Sequence, residues 1–397
     1  MKTIRGKYGE AKIFTQNVDD MTIEQVTGML NENIAVDGNV RIMPDCHAGK
    51  GSVIGTTMRI HDKVVPNLVG VDIGCGMLCT QINRDGTAGV DYEKLDAAIQ
   101  ALVPSGMSVR NQPHRLSEQI PFEQVLAPFN ETRARLSIGT LGGGNHFIEL
   151  NTDEENNLYI VIHSGSRNLG KTIAEHYQKL AESSQFTVDT ETIVASLKDQ
   201  GREQDIQTTL VELKSQFNET NKDLAYVSGP DMDNYLHDLK IAQKYAALNR
   251  QAMTEVILEA MGWSATDQFD TIHNYIDLEQ MILRKGAISA QAGEIAIIPM
   301  NMRDGSLIVR GKGNPDWNYS APHGAGRIMS RSKAFKSVDL KEFEETMQDV
   351  WSSSVVESTR DESPFVYKPM EEIIRNTQDT IELLQVIKPL YNFKATK

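Results

Sequence analysis

"LYIVIHSGSRNLGKT", residues 158–172, runs from an unbroken apolar stretch into a glycine-punctuated turn and then into helix-forming sequence. Two folds compete for it. Residues 165–172, GSRNLGKT, satisfy G-x-x-x-x-G-K-[ST], the phosphate-cradling loop of a P-loop NTPase, with Lys171 and Thr172 as the functional pair. The context suits that reading, with a strand before the loop and a helix after it. In the other reading, His163 ends a buried strand of one compact domain that mixes helices and strands. Three features favour the second. The chain downstream is not a run of alternating β and α units. A phosphate loop gives no role to His146, His163 and His273. It also leaves Asp72 and Cys75 unexplained.

Working outward, "TIEQVTGMLNE" (22–32) opens a helix, with Thr22 and Gln25 spaced as a capping box. Residues 39–60 and 65–82 alternate short apolar runs with Gly/Asp turns and read as strands. A helical segment is expected over about 170–262. It comprises a helix from Gly170 to Phe186, two surface helices within 187–223, and a long amphipathic helix from Pro230 and Asp231 to about Met261. Strands return over 286–311, with Gly293 and Gly305 at turns, and 338–388 reads as mainly helical. No repeat, low-complexity segment or linker divides the chain, so a single domain over 1–397 is expected.

Composition narrows the class. The 397 residues are 40% hydrophobic and 24% charged, as in an ordinary soluble protein with a sizeable core. No apolar run approaches the ~20 residues of a membrane span. Three cysteines, Cys46, Cys75 and Cys79, make no disulfide framework, and a cytoplasmic setting is the simplest expectation. A net charge of −14 argues against a general nucleic-acid coat but leaves room for a local basic groove. Residues 303–336 hold seven Lys/Arg against two Asp/Glu, and 338–363 hold eight acids against two bases.

Of nine histidines, His61, His114, His176 and His237 read as ordinary hydrogen-bonded or surface residues. His146 follows GTLGGGN, His163 ends LYIVIH, and His273 lies in DTIHNYID. In "GVDIGCGM" (70–77), Asp72 and Cys75 form D-x-x-C among glycines. A carboxylate, a thiolate and imidazoles make a mixed O/S/N set suited to Mn, Fe or Zn. Cys79 reads instead as a small buried hydrophobe. His323 sits in "APHGAGRIMSRSKA" (321–334), where Gly324, Ala325 and Gly326 leave it open to approach and Arg327 and Arg331 follow.

Six motifs carry a resemblance: MPDCHAGKGSVIGTT, VGVDIGCGM, GTLGGGNHFIEL, HSGSRNLG, RKGAISAQAGEIAIIP and HGAGRIMSR. In this order they are similar to the RtcB family of RNA ligases, as are VYKPMEEI and VIKPLYNFK near the C-terminus. The resemblance covers most of the chain. It implies an α+β fold whose β-rich core is surrounded by helices, with Asp72, Cys75, His146, His163 and His273 as metal ligands and Cys75 bridging two Mn²⁺ ions. It implies that His323 attacks the α-phosphate of GTP and carries GMP, and that Asn145, Phe147, Glu149, Tyr367 and Lys394 lie along the nucleotide with the 324–326 loop. Arg167, Arg327 and Arg331 would hold RNA phosphates. The partners implied are GTP and an RNA with a 3′-phosphate or 2′,3′-cyclic phosphate end and a 5′-hydroxyl end. An activating protein partner is a further possibility.

The chain departs from the family pattern in places. It reads Met300-Asn301-Met302-Arg303 where Gly-Ser-Met-Gly is common, has Cys46 for an aliphatic residue and Asn168 for a glycine, and continues past Lys394. Two rival readings remain: the P-loop NTPase, and a metal- and nucleotide-dependent protein that binds RNA ends without joining them.

Overall fold

Leu158–Ser164 is a strand buried along its whole length, as its unbroken apolar sequence requires of a central strand. It sits inside a seven-stranded sheet. The order is Trp263–Ile272, Gly76–Arg84, Leu158–Ser164, Phe147–Thr152, Ile381–Phe393, Gly305–Gly311 and Ile295–Asn301. All six pairings are antiparallel. A six-stranded sheet runs Lys2–Arg5, Glu10–Ile13, Val40–His47, Ile54–Arg59, Ile282–Lys285 and Asn274–Asp277. Its one parallel pair joins Glu10–Ile13 to Val40–His47. The architecture is α+β. These statements come from a computed structural model that describes residues 1–49, 51–84, 89–186, 190–211 and 221–395.

The long helix, Gly229–Met261, starts with Pro230 in its first turn and ends on Gly262 at φ 70°, the proline start and left-handed glycine stop that helices favour. Its buried face carries Tyr235, Leu239, Ala242 and Tyr245 into the main apolar core, and Ala246 is buried on the same stripe. Mid-helix, Asn249 and Arg250 are fully buried polar residues. The helix after the 158–164 strand begins at Arg167, three residues earlier than the periodicity indicates, and runs to Phe186. Thr190–Asp199 is helical; part of the expected 187–223 pair falls on 187–189 and 212–220, outside the described residues. No helix among the described residues is long and apolar enough to cross a membrane.

Two local readings are corrected. The first helix is Asp20–Leu30, capped by Asp19, whose carboxylate accepts from the Thr22 N–H. Thr22 therefore lies inside the helix, and Gln25 bonds Gly49 instead. The chain over 381–388 is strand, part of Ile381–Phe393. Its irregular burial, with Leu383 and Leu384 each 39% exposed, hides the two-residue alternation that marks a strand.

Candidate active site

The end of the seven-stranded sheet nearest the other sheet gathers the metal-type ligands. Gly76 pairs with Ile272 on one side and Ser164 on the other, and His163 pairs with Met77 and Phe147. Four neighbouring strands thus deliver Cys75, His273, His163 and His146 from their adjoining ends. Two donor clusters result, Asp72/Cys75/His146 and Cys75/His163/His273, with ligand atoms in each within 4.8 Å of one another. Cys75 belongs to both.

The hydrogen bonding shows what these groups fit. The His146 Nδ1–H donates to Leu141 O at 2.8 Å, which leaves Nε2 facing the cluster. That atom lies 3.0 Å from Asp72 Oδ2 and 3.5 Å from Cys75 Sγ. The His163 Nδ1–H donates to Asn145 O at 3.1 Å, which points its Nε2 lone pair at Cys75 Sγ, 3.3 Å away, and His273 Nε2, 3.0 Å away. Burial, then neighbouring His146, Lys394 and His323, hold His163 well below the ordinary histidine value. Acceptors converging on one another call for a cation between them. Burial first, and then Asp72, push the Cys75 thiol well above its ordinary value; a divalent ion reverses that by binding the thiolate. The residues therefore fit one or two divalent transition-metal ions.

Buried groups brace this end. Asn249 accepts from the Gly139 and Thr140 N–H groups and donates to Thr140 O, Ser164 Oγ and Gly165 O. Arg250 donates to Gly74 O and Ser164 O, next to Cys75 and His163, and pairs with Asp270. Gly165 has no room for a side chain, because a Cβ would collide with the Asp72 carboxylate.

That carboxylate also answers the P-loop reading. Asp72 Oδ1 accepts from the Ser166 N–H at 3.0 Å, so an acid occupies the place a bound phosphate would need. Lys171 is exposed and pairs with Glu175 one helical turn on.

A pocket of about 260 Å³ adjoins the metal-type cluster and is lined by His163, His273 and His323. Every residue expected along a nucleotide also lines it: Asn145, Phe147, Glu149, Gly324, Ala325, Gly326, Tyr367 and Lys394. Asp72, Cys75, His146 and Arg167 lie outside this lining. Burial pushes the Glu149 carboxyl up to about 7, against the bonds from Asn392 and Asn151 and the charge of Lys394. Lys394 is buried and donates to Glu362 at 2.9 Å. Met300, Asn301 and Met302 of the divergent loop form part of the wall.

The arginines divide. Arg167 has φ 55° and donates to Thr140 Oγ1 and Gly106 O beside the metal-type cluster. Arg331 pairs with Asp361 at 3.0 Å and Glu362 at 3.2 Å. Arg327 donates to Asp361 O and lies over the Tyr367 ring. The acidic block thus folds back onto the basic one, and the charge segregation seen along the chain is largely cancelled here.

Asp45 was absent from the sequence-derived site. It is fully buried and accepts from His323 through both the ring Nδ1–H, at 2.6 Å, and the backbone N–H, at 3.2 Å. Gly326, at φ 76°, lets the 323–327 loop pass so close to Asp45 that a Cβ would strike its backbone. The available signal was its place in MPDCH, an acid inside a buried strand ahead of a glycine-rich turn. His61 and His237 bond backbone carbonyls and His114 caps a short helix, all away from the pocket.

The family described as tRNA-splicing ligase RtcB matches residues 28–131 and 123–395. RNA-splicing ligase RtcB of Escherichia coli (strain K12) is 32% identical over 401 residues, covering 90% of each chain. The tRNA-splicing ligase RtcB of Nanoarchaeum equitans is 24% identical over 469 residues, covering 94% of this chain and 91% of the relative. A second Escherichia coli protein, RNA-splicing ligase RtcB2 (strain ATCC 25922), is 26% identical over 344 residues, covering 81% and 77%. Together with six motifs in register and a histidine-thiolate cluster beside an acid-bound His323, these matches make the chain a member of the RtcB family of RNA ligases.

Proposed function

We propose that this enzyme joins an RNA 3′-phosphate or 2′,3′-cyclic phosphate end to a 5′-hydroxyl end, using GTP and two Mn²⁺ ions. The observation that carries the reading is the sharing of Cys75 between two donor clusters whose His273 ring lies 4.7 Å, centroid to centroid, from the His323 ring. His323 attacks the α-phosphate of GTP through Nε2, because Asp45 holds the proton on Nδ1. The products are a phosphoramidate and pyrophosphate. The RNA 3′-phosphate then takes GMP from His323, and the 5′-hydroxyl displaces GMP to seal the strand. Bound metal would neutralise phosphate charge at the reacting centre. Asp72, Cys75, His146, His163 and His273 hold it; Asn145, Phe147, Glu149, Tyr367 and Lys394 bind the nucleotide, and Arg167, Arg327 and Arg331 meet RNA phosphates. For the last two this requires exchange of Asp361 and Glu362 for phosphate.

A single domain over 1–397 supports this chemistry, since the seven-stranded sheet pairs the 147–152 strand with the C-terminal 381–393 strand. The expected setting is the cytoplasm. Mass spectrometry after incubation with GTP and Mn²⁺ tests the reading: a GMP adduct on His323, with joining of 3′-phosphate and 5′-hydroxyl RNAs, supports it. A protein that binds GTP and RNA without adduct or joining would instead be an RNA-end binder.

A further inference from the structure

His47 ends the Val40–His47 strand and lines the pocket that holds His323. It follows Asp45 by two residues in that strand. Its Nδ1 lies 3.1 Å from the Asp45 carbonyl, which can only accept, so Nδ1 carries the proton and Nε2 the lone pair. Nε2 has no hydrogen-bond partner among the described residues, and His47 belongs to neither metal-type cluster. It is a free imidazole nitrogen in a pocket whose carboxylates are engaged. Glu149 accepts from Asn392 and Asn151, and Glu362 accepts from both Lys394 and Tyr367.

For an RNA that already ends in a 3′-phosphate, the chemistry of the proposed reaction leaves one opening for such a group. His323 attacks through a lone pair and a 3′-phosphate attacks as an anion, so neither needs a base. The 5′-hydroxyl must lose a proton. Resting on the ligase reading above, we propose that His47 is a catalytic base of the sealing step, taking the proton of the RNA 5′-hydroxyl. As that oxygen forms its bond to the 3′-phosphorus, its proton passes to His47 Nε2. The bond from the same phosphorus to the oxygen of GMP breaks, and GMP leaves with that electron pair. The imidazolium then returns its proton to solvent.

The surroundings keep this base neutral. Burial lowers its pKa first, the Asp45 carbonyl and carboxylate raise it, and His323 and Arg327 from the facing loop lower it again, with the net shift downward. On the other flank, Lys368 places its ammonium against Pro44 O and Cys46 O of the same strand.

The test separates three steps in wild type, His47→Ala and His47→Gln, all with Mn²⁺. These are adduct formation with GTP, transfer of GMP to a 3′-phosphate RNA, and sealing of an RNA bearing a preformed 3′-guanylyl end to a 5′-hydroxyl RNA, followed from pH 5.5 to 8.5. Both variants should carry out the first two steps within about threefold of wild type and seal about 10²–10³-fold more slowly. The wild-type sealing rate should rise with pH and level off below the ordinary histidine value. That limb should vanish in the variants, and added imidazole should restore part of the rate to His47→Ala. Equal losses in all three steps would mean a structural role and overturn the proposal, as would sealing at the wild-type rate with the limb intact. Failure of wild type to form adduct would instead overturn the ligase reading.

Discussion

Asp45 Oδ2 accepts from both the ring Nδ1–H and the backbone N–H of His323, a residue 278 positions along the chain. One buried carboxylate thereby sets the ring's tautomer and the path of its loop. The geometry aims a lone pair at the pocket, and in the proposed reaction the carboxylate would stabilise the imidazole as it becomes cationic on attack.

Asp45→Asn should therefore slow GMP-adduct formation by about 10²–10³-fold, since an amide can donate to Nδ1 and move the proton to Nε2. His323→Ala should form no adduct. Neither change touches a metal-type ligand, so metal content by elemental analysis should stay at the wild-type level in both. Adduct formation by Asp45→Asn at the wild-type rate would show that the tautomer is set elsewhere.

Cys75→Ala removes the atom common to both donor clusters, whereas Cys79 lies in an apolar cluster with Met77 and Val161. Elemental analysis should find Cys75→Ala stripped of metal and inactive in joining. Cys79→Ala should retain both properties and lose only packing stability, about 1 kcal/mol. Equal metal in the two variants would rule out a shared thiolate.

The difference between what could and could not be read from sequence is one of range. Asp72 and Cys75 were legible because a short spacing among glycines marks them locally, and the long helix because its periodicity and its proline start are local too. Asp45 was not, because its partner arrives through a loop admitted by Gly326, and no spacing encodes that contact. The 381–393 strand was missed for a related reason: its burial follows the two elements that flank it, not a simple alternation. The paired acids Asp361 and Glu362 lie in a block whose charge is plain in the sequence, but no spacing encodes their contact with Arg331.

Glu149 should make the metal-free protein's stability depend on pH. Its folded pKa, about 7, lies above the ordinary 4.5, so the fold favours the protonated form. That contribution is whole below about pH 4.5 and is lost as pH rises through 7, up to on the order of 3 kcal/mol. Glu149→Gln keeps an acceptor for Asn392 and cannot ionise. In denaturant melts its stability relative to wild type should grow from pH 5 to pH 8. Parallel curves for the two proteins would show that Glu149 ionises freely in the fold.

Arg250 joins Gly74 O, Ser164 O and Asp270 from the centre of the long helix. Arg250→Gln leaves the Gly74 and Ser164 carbonyls short of a donor, which costs about 1–3 kcal/mol for each buried acceptor, while Asp270 reaches solvent. The expected result is a lower melting temperature and weaker Mn²⁺ binding by titration calorimetry. Arg250→Lys should recover part of the stability and less of the metal affinity, since one ammonium cannot reach all three acceptors in the same planar geometry. Unchanged metal affinity in a destabilised Arg250→Gln would confine the residue to holding the fold.

Lys171 and Arg167 separate the two readings of the 165–172 loop. In a P-loop, Lys171 grips nucleotide phosphates and its loss cripples turnover. Here its side chain is 57% exposed and faces Glu175 at 3.7 Å, an exposed pair of the kind worth well under about 1 kcal/mol. Arg167 is held by Thr140 and Gly106 beside the cluster that contains Asp72. Lys171→Ala should accordingly fold normally and keep most adduct formation and RNA joining. Arg167→Ala should still form adduct, because His323 and its pocket are untouched, yet join RNA at least tenfold more slowly for want of a phosphate contact. Adduct yield and joining, measured side by side on folded variants with Mn²⁺, decide between them. A Lys171→Ala protein unable to use GTP, alongside an unimpaired Arg167→Ala, would return the nucleotide to the 165–172 loop and remove it from the His323 pocket.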